Sequence, residues 1–222
     1  AGTQVKWSLT NADIALNLVH HRFSLPFAAA PEPYDRFAAT GSRFTNASID
    51  YSASLSQLHV FGEIATRFNG GWAVTSGLLA SLDRRLDIAL LYRRVEPSYH
   101  SFFSSAFQEH SEVENERGFF AGFRFQFTKH VKLEGFLDLF QFPWIQSRLI
   151  VPGDGGEYWL KLDYAPSRTI QFTARYRSYR NMIEMAGDET PLSGYSYQYK
   201  KQLRVQLNYQ LTENLSSQSR ME

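Results

Sequence analysis

Hydrophobic and polar residues alternate with a period of two along most of this chain. In the stretch Phe119 to Leu139, the odd positions Phe119, Ala121, Phe123, Phe125 and Phe127 are separated by positions that include Gly122, Arg124, Gln126 and Thr128. After Lys129-His130 the alternation restarts, with Val131, Leu133, Leu137 and Leu139 on one side and Lys132, Glu134 and Asp138 on the other. Successive side chains of a strand point to opposite faces, so this reads as two amphipathic strands joined by a tight turn. The same pattern recurs at 3–9, 14–18, 44–55, 58–67, 72–82, 86–93, 157–164, 169–177 and 197–209, and a last strand starts after 212–214. No helical period of useful length interrupts it. The predicted fold is all-β, an antiparallel up-and-down barrel of about twelve strands over residues 1–222, one domain or a fragment of a larger barrel.

The connections sort by length. Tight turns fall near 10–13, 56–57, 83–85, 128–130, 165–167 and 212–214, and longer loops at 26–42, 68–71, 95–118, 142–156 and 180–194. Short turns at one end and long loops at the other characterise outer-membrane barrels. The predicted strands exceed the usual globular length and approach the 9–11 residues that cross a bilayer at a tilt. Trp7, Trp72, Tyr158, Tyr164, Tyr197 and Tyr209 stand near strand ends, where interfacial aromatic girdles belong. A small soluble barrel has little room inside for the rings of Trp72, Tyr92, Phe123, Phe125 and Tyr176. Turned outward, they meet lipid and the charges line a wet interior. A soluble sandwich or calycin-like barrel is the alternative.

Composition changes this picture little. The 222 residues carry 23 basic and 22 acidic side chains and no cysteine. The near-neutral balance gives nucleic acid no bulk attraction, and disulfides and thiolate metal sites are excluded. Mean hydropathy is −0.35 and no apolar run reaches the length of a membrane helix, which does not weigh against a barrel because alternation dilutes the mean. No leader stands at Ala1, so one has been removed or the chain is a piece of something longer.

Between Tyr92 and Asn181 run the strings YRRVEPSYHSFFSSAFQEHSEVENERGFFAGFRFQ, DLFQFPW and GDGGEYWLKLDYAPSR. They resemble outer-membrane barrels of Bacteroidota described as helix-hairpin-helix domain-containing proteins. The matching residues are Tyr92, Arg93, Tyr99, Phe107, Asn115, Glu116, Gly118, Asp138, Phe140, Phe142, Pro143, Trp144, Gly156, Glu157, Tyr158, Tyr164, Pro166 and Ser167. The resemblance implies a membrane barrel, and that this chain is an internal portion of a longer protein. It implies no catalytic residues. The chain itself contains no helix-hairpin-helix segment.

The candidate chemistry is diffuse. Glu63, Arg67, Asp87, Arg93, Arg124, Lys132, Glu134, Asp138, Glu157, Lys161, Asp163, Arg175, Arg177, Lys200 and Arg204 are expected to face the interior, with a basic wall at Arg175, Arg177, Lys200 and Arg204. They would bias ion passage or pair into a polar core. His20-His21-Arg22 lacks converging ligands for a metal. His100, Glu109, His110 and Ser111 share one loop without the order of a base, nucleophile and orienter. The acidic run Glu109, Glu112, Glu114 and Glu116 lacks EF-hand spacing and reads as a solvated loop; Asp154 reads as a turn residue. No cofactor is expected. The expected partners are the lipid bilayer and a protein at loop 95–118. The expected function is passage of a polar solute across the bacterial outer membrane. A structural or docking barrel and a membrane-embedded hydrolase are the alternatives.

Overall fold

The computed structural model describes residues 1–109, 113–147, 149–184, 194–212 and 215–222. Twelve strands are β1 (Gly2–Ser8), β2 (Ala12–Phe27), β3 (Gly41–Leu55), β4 (Leu58–Arg67), β5 (Trp72–Asp83), β6 (Leu86–Val95), β7 (Glu116–Thr128), β8 (Val131–Phe142), β9 (Gly153–Tyr164), β10 (Ile170–Glu184), β11 (Tyr195–Thr212) and β12 (Leu215–Met221). Each pairs antiparallel with its neighbour in sequence, giving one up-and-down sheet in the order β1 to β12. The all-β, up-and-down reading holds. The sheet is not closed, because β1 and β12 are not partners and each leaves one edge free. A 3-10 turn, Pro33–Phe37, lies in the β2–β3 connection, where proline at the start supplies a preset φ.

The alternation fixes the strands, and the turn chemistry fixes where they stop. Ser56-Gln57 closes β3 onto β4 with Leu55 paired to Leu58, and Ser56 takes a positive φ of 54°. Shifts of register at Ser81/Asp83, Gln126/Thr128 and Gln210/Thr212 all fall beside the short turns, where an extra residue twists the ladder into the reversal. At the other end the strands run further than the sequence suggests. β10 extends to Glu184 and β9 begins at Gly153, so Asp154 is a strand residue and not a turn residue. It accepts hydrogen bonds from Arg180 at 2.8 Å and from the Tyr197 hydroxyl at 2.7 Å. The expected connection 180–194 reduces to the residues between β10 and β11, of which 185–193 lie outside the described residues, as do two of the three expected turn residues at 212–214.

Directly paired residues share a face. One row runs Lys6, Ala15, Asp50, Glu63, Thr75, Arg93, Gly118, Phe140, Gly155, Asn181, Gln198 across eleven strands. Alternate positions to either side of it make a polar face. The remaining positions make an apolar face, carrying Ile49, Ile64, Leu137, Leu139, Leu160, Leu203 and Leu207. Burial runs opposite to the rule for water-soluble proteins. Ile64 and Leu203 are 57% and 58% exposed, whereas Arg93 and Glu116 on the polar face are 1% and 0% exposed.

The buried apolar core is small and lies at the loop end. Ala65, Val95, Tyr99 and Val113 pack together with Ala73, beneath the β6–β7 connection. Beside them Phe102 of that connection meets Phe23, Phe27 and Phe44 at ring separations of 5.1, 5.2 and 4.7 Å.

Candidate functional site

All fifteen of the charged residues singled out as inward-facing stand on the polar face by register. Eleven of them, with Glu116, form two belts across β6–β10. Nearer the loops, Arg93 lies between Glu116 (Nε–Oε1 2.5 Å) and Asp138 (Nη1–Oδ1 2.8 Å), and Glu157 holds Arg177 through two contacts of 2.7 Å. A planar guanidinium satisfies two carboxylates at once in this way. Directly opposite Arg93 stands Gly118, where a Cβ would lie 2.4 Å from the guanidinium carbon. The absence of a side chain at 118 lets the guanidinium lie flat on the sheet.

Nearer the turns, Asp87, Arg124, Glu134, Lys161, Arg175 and Arg204 are direct cross-strand neighbours from β6 to β11. The sign alternates over the first four. Lys161 reaches Asp163 at 2.7 Å and Glu134 at 3.6 Å, and Lys132 reaches Glu134 at 3.2 Å and Asp163 at 3.6 Å. Opposite charges directly across an antiparallel pair stabilise the register, by roughly 0.2–1 kcal/mol each. The expected basic wall is partly neutralised: Arg177 is held by Glu157 and Arg204 by Glu222, while Lys200 is exposed. Glu63 and Arg67 stand apart from both belts on β4, with Arg67 over the Phe44 ring at 4.9 Å.

Between the belts lies a row of rings. Phe120, Phe136 and Trp159 follow one another on β7, β8 and β9 at centroid separations of 5.4 and 5.7 Å, with interplanar angles of 30° and 22°. Phe107 abuts Phe120 edge-on at 5.3 Å and also covers Arg93 at 5.3 Å, and Arg175 lies over Trp159 at 5.6 Å. Phe120 leans over Gly122, whose missing side chain leaves the space.

The described residues of the β6–β7 connection, 96–109 and 113–115, fold back over the polar face and are tied at both sides. On one side the Asn46 side chain donates to the His100 carbonyl at 2.9 Å, and the His100 ring nitrogens meet the Phe37 carbonyl and Glu114 at 2.7 Å each. On the other, the Tyr179 hydroxyl donates to Glu109 at 3.0 Å, and the Glu109 N–H donates to the Glu116 carboxylate at 2.9 Å. Lost hydration where the Glu109 carboxyl meets the sheet, together with Glu116, Asp138 and Glu157 nearby, raises its pKa above the usual carboxylate value against the Tyr179 hydrogen bond. Asn115, at a φ of 49°, exchanges two hydrogen bonds with the Trp144 backbone. Trp144 in turn packs on Phe37 at 5.0 Å. Three of the long connections are thereby joined.

The other sequence candidates disperse. His20 and His21 point to opposite faces, His20 to Thr45 and His21 to Phe102 and Phe103. Glu109, Glu114 and Glu116 of the acidic run each take a different partner, so it is a set of ties and not a solvated loop; Glu112, His110 and Ser111 lie outside the described residues. His100 and Glu109 are fixed at opposite sides of the connection. No group of three metal-ligating side chains occurs among the described residues. The rings at 120 and 136 escaped the sequence reading although they share the parity of Arg124 and Glu134; that parity was the available signal. Glu116 reads as a loop residue in sequence, and only the register to Val95 reveals it as the start of β7.

No protein-family model, curated protein or solved structure matches the chain.

Proposed function

We propose that this chain forms the wall of an outer-membrane β-barrel, of the Bacteroidota kind it resembles, that passes a polar solute through a charged lumen. The observation that carries this reading is the inversion of burial. Aliphatic side chains cover one face although they are exposed, and paired charges cover the other, buried at Arg93 and Glu116 and still accessible at Arg124 and Arg177, which suits a wall between hydrocarbon and water. Turns at one end and long, interlocked connections at the other give the two ends different roles. Residues 96–109 and 113–115, which lie over the polar face, would narrow the loop-end mouth as a constriction does. In a bilayer the free edges of β1 and β12 require partners, so the sheet serves as an arc of a wall completed by further strands.

A docking barrel is the second reading, and Phe103 favours it: this loop residue is 88% exposed and takes a φ of 64°. The rest of the connection is committed to the chain's own polar face, which favours the first reading. Planar-bilayer recording of the protein in its full natural length is the test. Stepwise ion conductance that rises when residues 98–113 are replaced by a short glycine–serine linker is expected. A purified, folded protein that supports no conductance and no solute entry into liposomes would sink the transport reading.

A further inference from the structure

We propose that the ribbon Phe120–Phe136–Trp159, ending at Arg175, is a binding track for a neutral oligosaccharide; this rests on the reading of the polar face as a water-filled lumen. Three rings on adjacent strands, inclined to one another by 30° and 22° and each half-buried, make an apolar strip across an otherwise ionic surface. Left in water, such a strip loses hydration free energy without gaining a core. A ligand that covers it must itself be soluble, with an apolar face for the rings and polar groups at its edge. A sugar ring has this form: its axial C–H bonds meet the negative face of an aromatic ring, and its hydroxyls point outward. Sites of this kind are mostly apolar or aromatic, with a few placed polar groups that fix orientation.

The charges around the strip select against ionic solutes. The two belts hold six carboxylates and six cations in β6–β10, and most bind one another. Their fields cancel, so neither an anion nor a cation is drawn to the ribbon. Each carboxylate retains acceptor capacity beyond its ion pair, which hydroxyls fill. Arg175 differs. Among the described residues it has no carboxylate partner, lies over Trp159, and its Nε lacks a hydrogen bond. Its terminal nitrogens, and not the buried Nε, are the donors at the end of the track. Phe107, carried by the mouth connection, meets the other end at Phe120.

The test is a titration of the folded protein in detergent micelles with maltohexaose, cellohexaose and xylohexaose, against polyethylene glycol of equal mass and dextran sulfate. Calorimetry and tryptophan emission are the readouts. At least one sugar is expected to bind at least about tenfold more tightly than the glycol, with a blue shift in emission. Phe136→Ala and Trp159→Ala should each weaken binding by about tenfold, the loss of one stacked ring. Trp159→Phe, which keeps a ring and guards against a folding defect, should restore most of it. Trp7→Phe, on the apolar face, should leave binding and the shift intact. If no sugar exceeds the glycol, if dextran sulfate binds better, or if binding survives Trp159→Ala, the track is refuted. Binding in micelles is independent of conductance. Sugar binding without conductance would refute transport alone, and conductance without sugar binding would refute the track alone.

Discussion

Arg93 is the residue on which the loop end depends. Its guanidinium binds both Glu116 and Asp138, sits over Gly118 and supports the Phe107 ring of the β6–β7 connection. Removing one partner of a buried ionic set leaves the others uncompensated, which costs more than the set contributes. Arg93→Ala is therefore expected to destabilise the fold by about 3–5 kcal/mol, measured by urea unfolding from lipid vesicles. Arg93→Lys keeps the charge but cannot contact both carboxylates in a plane, so it should fall between. An Arg93→Ala protein as stable as the parent would show that the acids are hydrated in the native state. At the same scale, Gly118→Ala forces the guanidinium off the sheet and should cost about 1–3 kcal/mol as an overpacking change.

At the scale of elements, the β6–β7 connection acts as a strap with a pH-sensitive tie at Glu109. The Glu109 carboxyl has a raised pKa when seated against Tyr179. The seated state therefore binds a proton that the released state lacks, between the ordinary carboxylate pKa and the raised one. Seating is strongest below that window and weakens as pH rises through it. The strap contains Phe102, Phe103 and Phe107 and neither lysine nor arginine, so chymotrypsin is the suitable probe. Cleavage, normalised to a peptide substrate, should accelerate as pH rises through the window. In Glu109→Gln the seat stays neutral and that acceleration should disappear. An unchanged pH profile in the variant would assign the dependence elsewhere. This tie also marks the limit of what sequence reading reaches. Strand number and the shared face of the charges singled out from Glu63 to Arg204 follow from a period of two, because the pleat admits only two directions. The strap does not, because Glu109 and Tyr179 stand 70 positions apart and meet only through the path of an irregular loop. Asp154 was misread for a related reason: Pro-Gly-Asp-Gly-Gly has turn composition, yet pairing to β8 and β10 holds it as strand.

For the whole molecule, the free edges and the two faces make separate predictions. Amides of β1 and β12 each lack one neighbouring strand, so they should exchange with solvent faster than those of β5–β9 when the chain is held in micelles. Protection at both edges equal to the centre would mean that they find partners there. The assignment of faces is tested at adjacent residues. Leu160 and Lys161 are consecutive on β9, with Leu160 among the exposed aliphatics and Lys161 within the ionic belt. Because the chain has no cysteine, Leu160→Cys and Lys161→Cys each introduce a unique thiol. In proteoliposomes a charged, water-soluble maleimide should modify position 161 and leave position 160 unreacted, since a thiol facing hydrocarbon is neither ionised nor reached by the reagent. A water-soluble protein that packs its apolar face against a partner would shield 160 only in the complex, so dilution in detergent-free buffer would expose it. The bilayer assignment predicts instead that this buffer precipitates the chain, because Ile64, Leu137, Leu160 and Leu203 belong to one apolar surface far larger than soluble monomers expose. Equal labelling at both positions in liposomes would overturn the membrane reading, and with it the lumen on which the sugar track depends.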